Sequence, residues 1–473
     1  MAIQSTEPTV ERVRKHNQGH LLAFFDELNE VQRRNLLDQL DGLPWSSLPR
    51  WIEQNVKTDH SPHIPDRLKP APSFPPVPRD GQMTKKYAEA CALGETLIAQ
   101  GKVGAFVVAG GQGTRLGFGG PKGAYPISPI KEKSLFQMFA EQILATSKRY
   151  GAVCPWYIMT SPLNHAQTQA IFHKNDFYGL DPETVFMFQQ GTLPNFSLEG
   201  KILLSAKDRV ASSPDGHGGS LRALFASGAT ADMSARGLDY LSYWQVDNPL
   251  IRVFDPLFIG LHVLEGAEMS SKAITKTGPR EKVGNFCQVD GKIRVIEYSD
   301  LPDPLARQTK DDGFLVFELG NIGIHMVNRT FVERLNVGEF SLPIHRAVKK
   351  IPYVDPSGER IDPQEPNGVK LETFVFDALP LASKSIVLQT VRAEEFGPVK
   401  NATGVDSAET SRQMQSERAV AWLEAAGLSV PRQDQVVQCT VEIAPSFALS
   451  AQDVEARVDQ VPPIKPGDRL YLA

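Results

Sequence analysis

Residues 107–127 read VVAGGQGTRLGFGGPKGAYPI, the densest stretch of chemistry in the 473-residue chain. An apolar, β-branched run ends at Ala109, and glycine then stands at 110, 111, 113, 117, 119, 120 and 123. Glycine tolerates positive φ and lets the backbone come close to a ligand. Successive N–H groups turned into one concavity bind anions. Arg115 and Lys122 add full positive charges, so this stretch has the makings of a phosphate cradle. Neither common phosphate frame fits it. No GK[ST] closes a GxxxxGKS pattern, and the GxGxxG pattern begun by Gly111 and Gly113 needs Gly where Leu116 stands. The competing reading is a mobile surface loop, which would have to embed two cations directly after a core strand.

Other residues invite the same question. Asp247, in QVDNP, closes the apolar run YLSYWQV. A carboxylate there can hold a hard cation such as Mg2+; alone before Asn-Pro it would also serve as a turn or helix cap. Gln190, in QQG, offers a donor and an acceptor together, and by itself it reads as well as a structural amide. Lys370 and Lys400 fall in expected loops, as anion partners or as solvated charges. FVFD, residues 374–377, reads as a strand with Phe374 and Phe376 on one face, for packing or for ligand contact.

The elements that must hold these residues alternate. KKYAEACALGETLIAQGK reads as a helix, VGAFVVAG as a buried strand, SLFQMFAEQILATSKRY as a helix, and PWYIMT, ETVFMFQQ and LDYLSYWQVD as strands. DPLFIGLHVLEGA reads as a helix with Asp255 at its N-cap. Strands alternating with helices predict an α/β fold with a mainly parallel sheet. Such sheets bind ligands beyond the carboxyl ends of their strands.

Before this zone, residues 11–56 carry apolar residues at Leu21, Leu22, Phe25, Leu28, Val31, Leu36 and Leu40, mostly three or four apart. That spacing predicts amphipathic helices with one buried stripe. Mixed acids and bases favour packing over a membrane-surface or calmodulin-type role. Seven prolines (62, 65, 70, 72, 75, 76, 78) follow, predicting an extended connector without regular structure, or an SH3-type ligand. Past Asn401, a helical stretch stopped at Gly427 and the short β-like runs VVQCTVEIAP and DRLYLA predict a small α+β terminal domain. The expected boundaries are a helical N-terminal domain with its connector over 1–95, a main domain over 96–400 and the small domain over 401–473.

Composition narrows the classes. Lys+Arg 50 against Asp+Glu 55 gives −5, which lacks the basic excess of a nucleic-acid binder. No run approaches the ~20 apolar residues of a membrane helix, and the first residues lack a secretory layout. Four scattered cysteines and no HExxH leave a zinc hydrolase unsupported and make a reducing, cytoplasmic setting the expectation.

The string AGGQGTRLG…PKG resembles the nucleotide-binding signature of the UDP-sugar pyrophosphorylases, most of all their UDP-N-acetylhexosamine branch. WYIMTS, FQQGTLP, SPDGHGG, VDNPL, IEYS, ELGNIGIH, KKIPYVD, PNGVKLETFVFD and GPVKNATG follow in the family's order, so the similarity spans roughly residues 15–405. The resemblance implies a Rossmann-like nucleotidyltransferase core with a mainly parallel mixed sheet. It implies a reaction in which a sugar 1-phosphate attacks the α-phosphorus of UTP and pyrophosphate leaves, with small-molecule substrates and Mg2+ as cofactor. Ala109, Gly110 and Gly111 would hold the uridine side. Arg115 would sit against the leaving phosphates, and Lys122 would stabilise the reacting one. Gln190 would read uracil, with Gly216 allowing the backbone to approach the base. Asp247 would carry Mg2+, and Lys370 would bind UTP phosphates. His217, Glu297, Tyr298, Asn321 and Lys400 would take the sugar and its phosphate. One departure stands out: the N-acetylhexosamine branch usually has PDGNGG, whereas this chain has PDGHGG with His217. That leaves glucose 1-phosphate beside N-acetylglucosamine 1-phosphate as expected substrates. Two rivals remain at this point. A GT-A glycosyltransferase normally carries a DxD metal motif, where this chain has VDN. A catalytically dead sugar-nucleotide sensor would have no reason to keep Arg115, Lys122 and Asp247.

Overall fold

The computed structural model describes residues 7–58, 65, 67–338, 340 and 342–473. They fall into two compact units, neither continuous in sequence. One draws on residues 1–64, 190–220 and 341–377; the other draws on 65–189, 221–340 and 378–473.

The larger unit is built on a ten-stranded sheet. Its strands are β1 (Lys69–Pro70), β2 (Val103–Val108), β3 (Trp156–Thr160), β4 (Val185–Gln189), β5 (Tyr240–Gln245), β6 (Met269–Thr275), β7 (Gly284–Val289), β8 (Lys292–Ile296), β9 (Leu319–Asn328) and β10 (Ser385–Gln389). The main path runs β1-β7-β9-β5-β2-β3-β4; β6 pairs with β9 and β10, and β8 pairs with β7. The four strands β5, β2, β3 and β4 are parallel to one another, and β9 meets β5 antiparallel. Every residue of WYIMT in β3 is buried, as a parallel strand covered on both faces requires.

Helices lie against this sheet. Leu135–Tyr150 starts at Ser134, whose hydroxyl accepts the Gln137 N–H, and ends at Gly151 with φ 65°. Pro256–Leu264 starts at Asp255, whose carboxylate accepts the Leu257 N–H, as its sequence predicts. It packs on Gly81–Ala99 backbone to backbone: a Cβ on Gly260 would lie 1.7 Å from the Ala90 carbonyl oxygen, and one on Gly94 2.0 Å from that of Pro256.

The proline-rich stretch departs from expectation. Lys69–Pro70 pairs antiparallel with Cys287 and Gln288, and Phe74 bridges to Leu388. At a sheet edge proline's missing N–H is tolerated, so regular structure survives there. Pro62 lies outside the described residues.

The C-terminal stretch belongs to the larger unit. Helix Ala408–Ala425 begins at Ser407 in a capping box with Thr410, and Gly427 follows it at φ 82°. Thr440–Ile443 and Arg469–Leu472 pair in parallel. Leu423, Val441, Phe447 and Val454 form a core of their own.

In the smaller unit, the apolar stripe near the amino end is buried for packing. Leu21, Leu28, Leu36 and Leu40 join Trp45, Phe196, Val369 and Leu371 in one core, while Val31 is 78% exposed. Two 3-10 turns, Gly19–Leu22 and Phe25–Glu27, interrupt what periodicity alone reads as continuous helix. A three-stranded antiparallel sheet of His345–Lys349, Gly368–Glu372 and Phe196–Ser197 backs this core. FVFD is not a strand: Gly368–Glu372 ends before it and Val375–Leu381 is 3-10. Phe374 stacks between the rings of His345, 4.2 Å away, and His217, 5.2 Å away, so its role is packing.

Candidate active site

Parallel pairing of β2 with β5 puts their carboxyl ends side by side, with Val108 opposite Gln245. The glycine-rich loop leaves one strand there, and Asp247 follows the other. The loop does not hang open. The Lys122 N–H donates to the Gly111 carbonyl at 3.0 Å and the Gly113 N–H to that of Gly120 at 2.8 Å, so the chain doubles back and returns Lys122 to the strand end. The glycines divide the labour. Gly113 and Gly123 lie where a Cβ would strike Phe118 and Phe136, at 2.8 Å and 2.1 Å, whereas a Cβ on Gly111 or Gly119 would meet no atom within 4 Å. The backbone of Ala109 serves the scaffold: its N–H donates to Met159 at 2.7 Å, and its carbonyl accepts from the Asn164 amide at 2.9 Å.

Lys122 is only 8% exposed. Its Nζ lies 4.0 Å from Asp247 Oδ2 and 3.4 Å from the Val399 carbonyl oxygen. Burial pushes the ammonium below its ordinary range; Asp247 opposes that, while Arg115 and Lys400 add to it. Arg115 is exposed and forms no ion pair among the described residues. Lys400 Nζ stands 3.9 Å from Asp406 Oδ2. The Asp406 carboxyl is raised by burial, with Lys400 opposing and Asp247 reinforcing. Lys122, Arg115 and Lys400 therefore share one field, with Asp247 within 4.0 Å of Lys122 and Asp406 3.9 Å from Lys400 as its near carboxylates. Such a cluster suits an anion that brings its own negative charge.

Glu297 and Asn321 meet in the same unit. A Cβ on Gly284 would lie 3.5 Å from Glu297 Oε1 and 3.8 Å from Asn321 Cβ. Asn321 Oδ1 accepts the Gly323 N–H at 3.0 Å. A Cβ on Gly323, at φ 69°, would press to 3.3 Å from the Gln245 side chain, two residues before Asp247. Tyr298 is 43% exposed beside this corner.

The smaller unit gathers the remaining candidates. Gln190 is buried and its amide donates to Asp215 Oδ1 at 3.1 Å and to the Gly216 carbonyl at 3.3 Å. Gly216 takes φ 83°, and a Cβ there would lie 2.3 Å from the Thr373 carbonyl oxygen. Its glycine is thus required by Thr373, a packing reason that stands beside the expected approach to a base. His217 Nδ1 accepts the Val375 N–H at 3.0 Å, which leaves the ring's proton on Nε2. Part of the side chain reaches solvent, yet burial, aided by His345, pushes its imidazole down to about 4. Lys370 sits between Val369 and Leu371, which are buried in the core, so alternation along the strand turns it to the opposite face.

Three supporting residues escaped the sequence. Asn164 holds the Ala109 and Gly111 carbonyls, Asp215 anchors Gln190, and Asp406 faces Lys400. Asp215 stood inside the quoted SPDGHGG block; nothing local marks the other two.

These features define an α/β protein whose glycine-rich strand-end loop sets Lys122 beside Asp247. Residues 74–473 match the family model described as UTP–glucose-1-phosphate uridylyltransferase, and the chain belongs to that family. It is 40% identical to the UDP-N-acetylglucosamine pyrophosphorylase of Saccharomyces cerevisiae, over 87% of this chain and 90% of that one. It is 38% identical to human UDP-N-acetylhexosamine pyrophosphorylase-like protein 1, over 88% and 85%. In fold it is similar to the uridine diphosphate N-acetylglucosamine pyrophosphorylase of Trypanosoma brucei, solved with an inhibitor (TM-score 0.79, 24% identity, 100% of this chain and 99% of that one).

Proposed function

We propose that the chain is a UTP:sugar-1-phosphate uridylyltransferase, running UTP + hexose 1-phosphate ⇌ UDP-sugar + diphosphate. The observation that carries the reading is Lys122, buried 4.0 Å from Asp247 at the carboxyl edge of two parallel strands, in a chain of this family. A phosphate oxygen of the sugar 1-phosphate forms a bond to the α-phosphorus of UTP as the bond to the diphosphate breaks. Lys122 stabilises charge on the reacting phosphate, and Arg115 draws the leaving phosphates; no covalent nucleophile is needed. Asp247 would hold Mg2+, which neutralises phosphate oxygens when bound. The donor chemistry fits: Mg2+ in such sites takes one or two carboxylates, with phosphates and water as its other ligands, and Asp247 offers one carboxylate at the strand end. Ala109, Gly110, Gly111, Gln190, Gly216 and Lys370 serve the nucleotide; His217, Glu297, Tyr298, Asn321 and Lys400 serve the sugar phosphate. The preferred sugar is N-acetylglucosamine or glucose.

No helix among the described residues is long and apolar enough to cross a membrane, and four free thiols suit the cytoplasm. The test is a panel of sugar 1-phosphates with UTP and Mg2+, reading diphosphate. Release with at least one of the two named sugars supports the proposal. Release of UDP from a UDP-sugar would instead make it a glycosyltransferase, and tight binding without turnover under any metal would make it a sensor.

A further inference from the structure

Between the glycine-rich loop and helix Leu135–Tyr150 the chain runs PISPIKEK, residues 126–133. Pro126 and Pro129 lack an N–H, and Glu132 sits at φ 53°. Pro126 bridges to Ser134, and the Ile127 and Ser128 N–H groups share the Lys133 carbonyl. That leaves the carbonyls of 126, 127 and 129 and the N–H groups of 130 and 131 to be paired from outside the stretch. Buried backbone groups must still be paired. Here the partners come from the C-terminal segment. Arg412 donates to the Pro126 carbonyl at 2.9 Å and the Gln415 amide to that of Ile127 at 3.2 Å. Arg469 reaches the Pro129 carbonyl at 3.2 Å. The Glu442 carboxylate, 7% exposed, accepts the Ile130 and Lys131 N–H groups at 2.7 and 2.9 Å. These are charge-assisted bonds to a buried carboxylate.

The same helix holds the facing wall. Ser411 donates to the Gly397 carbonyl at 2.7 Å. Two residues on, the Val399 N–H donates to the Asp247 carbonyl at 2.7 Å, and the Val399 carbonyl receives Lys122 Nζ. Ser411 and Gln415 are one turn apart on one helix face. One grips the wall behind Asp247; the other grips the stretch that carries Lys122.

We propose that the segment 408–472 is a positioning clamp that sets the separation of Lys122 and Asp247, with Ser411, Gln415 and Glu442 as its positioning residues. The clamp's catalytic consequence rests on the transferase reading; its mechanical consequence does not. Misplacing a catalytic group by ~1 Å can lower a rate about 100-fold.

The experiment compares the wild type with Glu442→Ala, Glu442→Gln, Gln415→Ala and, as control, Arg432→Ala, whose guanidinium pairs with Glu424 on the surface of the same segment. Three quantities are read: kcat with saturating UTP and sugar phosphate, corrected for folded fraction; KM for each substrate; and amide hydrogen exchange over residues 119–131. The clamp predicts a fall in kcat of about tenfold or more in Glu442→Ala and Gln415→Ala. It predicts faster exchange over 119–131 and KM values that move less than kcat, because the clamp acts on the placement of the reacting groups. Glu442→Gln keeps one acceptor oxygen and recovers most of the rate, and Arg432→Ala changes none of the three. A merely structural role would lower the folded fraction and leave kcat per folded molecule in place. Should Glu442→Ala not fold, Gln415→Ala carries the test. Unaltered exchange in Gln415→Ala overturns the clamp whatever the turnover. A wild type that releases no diphosphate, with exchange accelerated in the variants, overturns the transferase reading and leaves the clamp standing.

Discussion

Two buried lysines in the larger unit show opposite uses of the same charge. Lys272, on β6, is 1% exposed and lies 2.6 Å from both Asp255 and Glu395. Asp255 also caps helix Pro256–Leu264. Burial would raise the Asp255 carboxyl, but Lys272 and Arg252 outweigh it and hold it below its usual range. That ammonium is saturated. Lys122 is nearly as buried, yet its nearest carboxylate is 4.0 Å off and two further cations bear on it. A saturated lysine holds a fold together; an unsaturated one is kept for an anion that arrives from outside.

Lys272→Met should break the comparison on the stability side with the largest effect. It leaves two carboxylates buried without their ammonium, a loss of about 3–5 kcal/mol. Urea unfolding should show a matching drop, with kcat per folded molecule retained. A drop under about 1 kcal/mol would mean that the triad is worth no more than a surface pair. Lys122→Ala should do the reverse. Folding stability should hold, because burial of the ammonium is only partly offset by Asp247 in the native state, while kcat/KM falls about 10²–10³-fold. Near wild-type turnover would remove Lys122 from the mechanism.

The sequence disclosed one lysine and hid the other. Lys122 stands in a glycine-rich stretch after an apolar strand, and both signals are local. Lys272 sits in MSSKAIT, which reads as half-polar and partly solvated; its partners lie 17 and 123 residues away. The parallel strands were legible for the same local reason, since VGAFVV and WYIMT are continuously apolar. The strand β1 was not, because proline composition argues against it and only the sheet edge permits it. The strand reading of FVFD failed because alternation cannot register the two imidazoles that distant segments bring to the faces of Phe374. Asp406 and Asn164 likewise act through contacts that no spacing reveals.

A third buried base sharpens the comparison through pH. His262 is fully buried; its Nδ1 meets Ser270 Oγ at 2.7 Å and its Nε2 meets Asn328 Oδ1 at 2.6 Å. Like Lys272 it is saturated, but by neutral partners, so burial pushes it down to about 4. The unfolded chain, titrating near 6.5, then binds more protons between those two values. Stability is complete above about pH 6.5, declines as pH falls toward about 4, and stops changing on this account below that. The term is worth about 3 kcal/mol. His217, partly solvated, should add less in the same window. Urea unfolding at pH 7.5 and pH 4.5 should show the slope, and His262→Gln, which keeps a donor and an acceptor, should flatten it. An unchanged slope in that variant would assign the acid sensitivity elsewhere.

The smallest effect tests whether the division between fold-holding and ligand-awaiting charge extends to exposed residues. Asp80 is exposed, and its carboxylate accepts the Met83 N–H at 2.8 Å, capping helix Gly81–Ala99. Its partner is a backbone donor that the helix leaves unpaired, so Asp80 is saturated in the sense of Lys272 while facing solvent. Asp80→Ala should lower stability by about 1 kcal/mol and leave kcat/KM for both substrates within twofold. Asp80→Asn, which keeps the accepting oxygen, should recover most of that loss, because the cap needs an acceptor and not a charge. If the Asn variant recovered nothing, negative charge at the helix end would be the stabilising element. Saturation by a hydrogen bond would then not account for this residue as it does for Lys272.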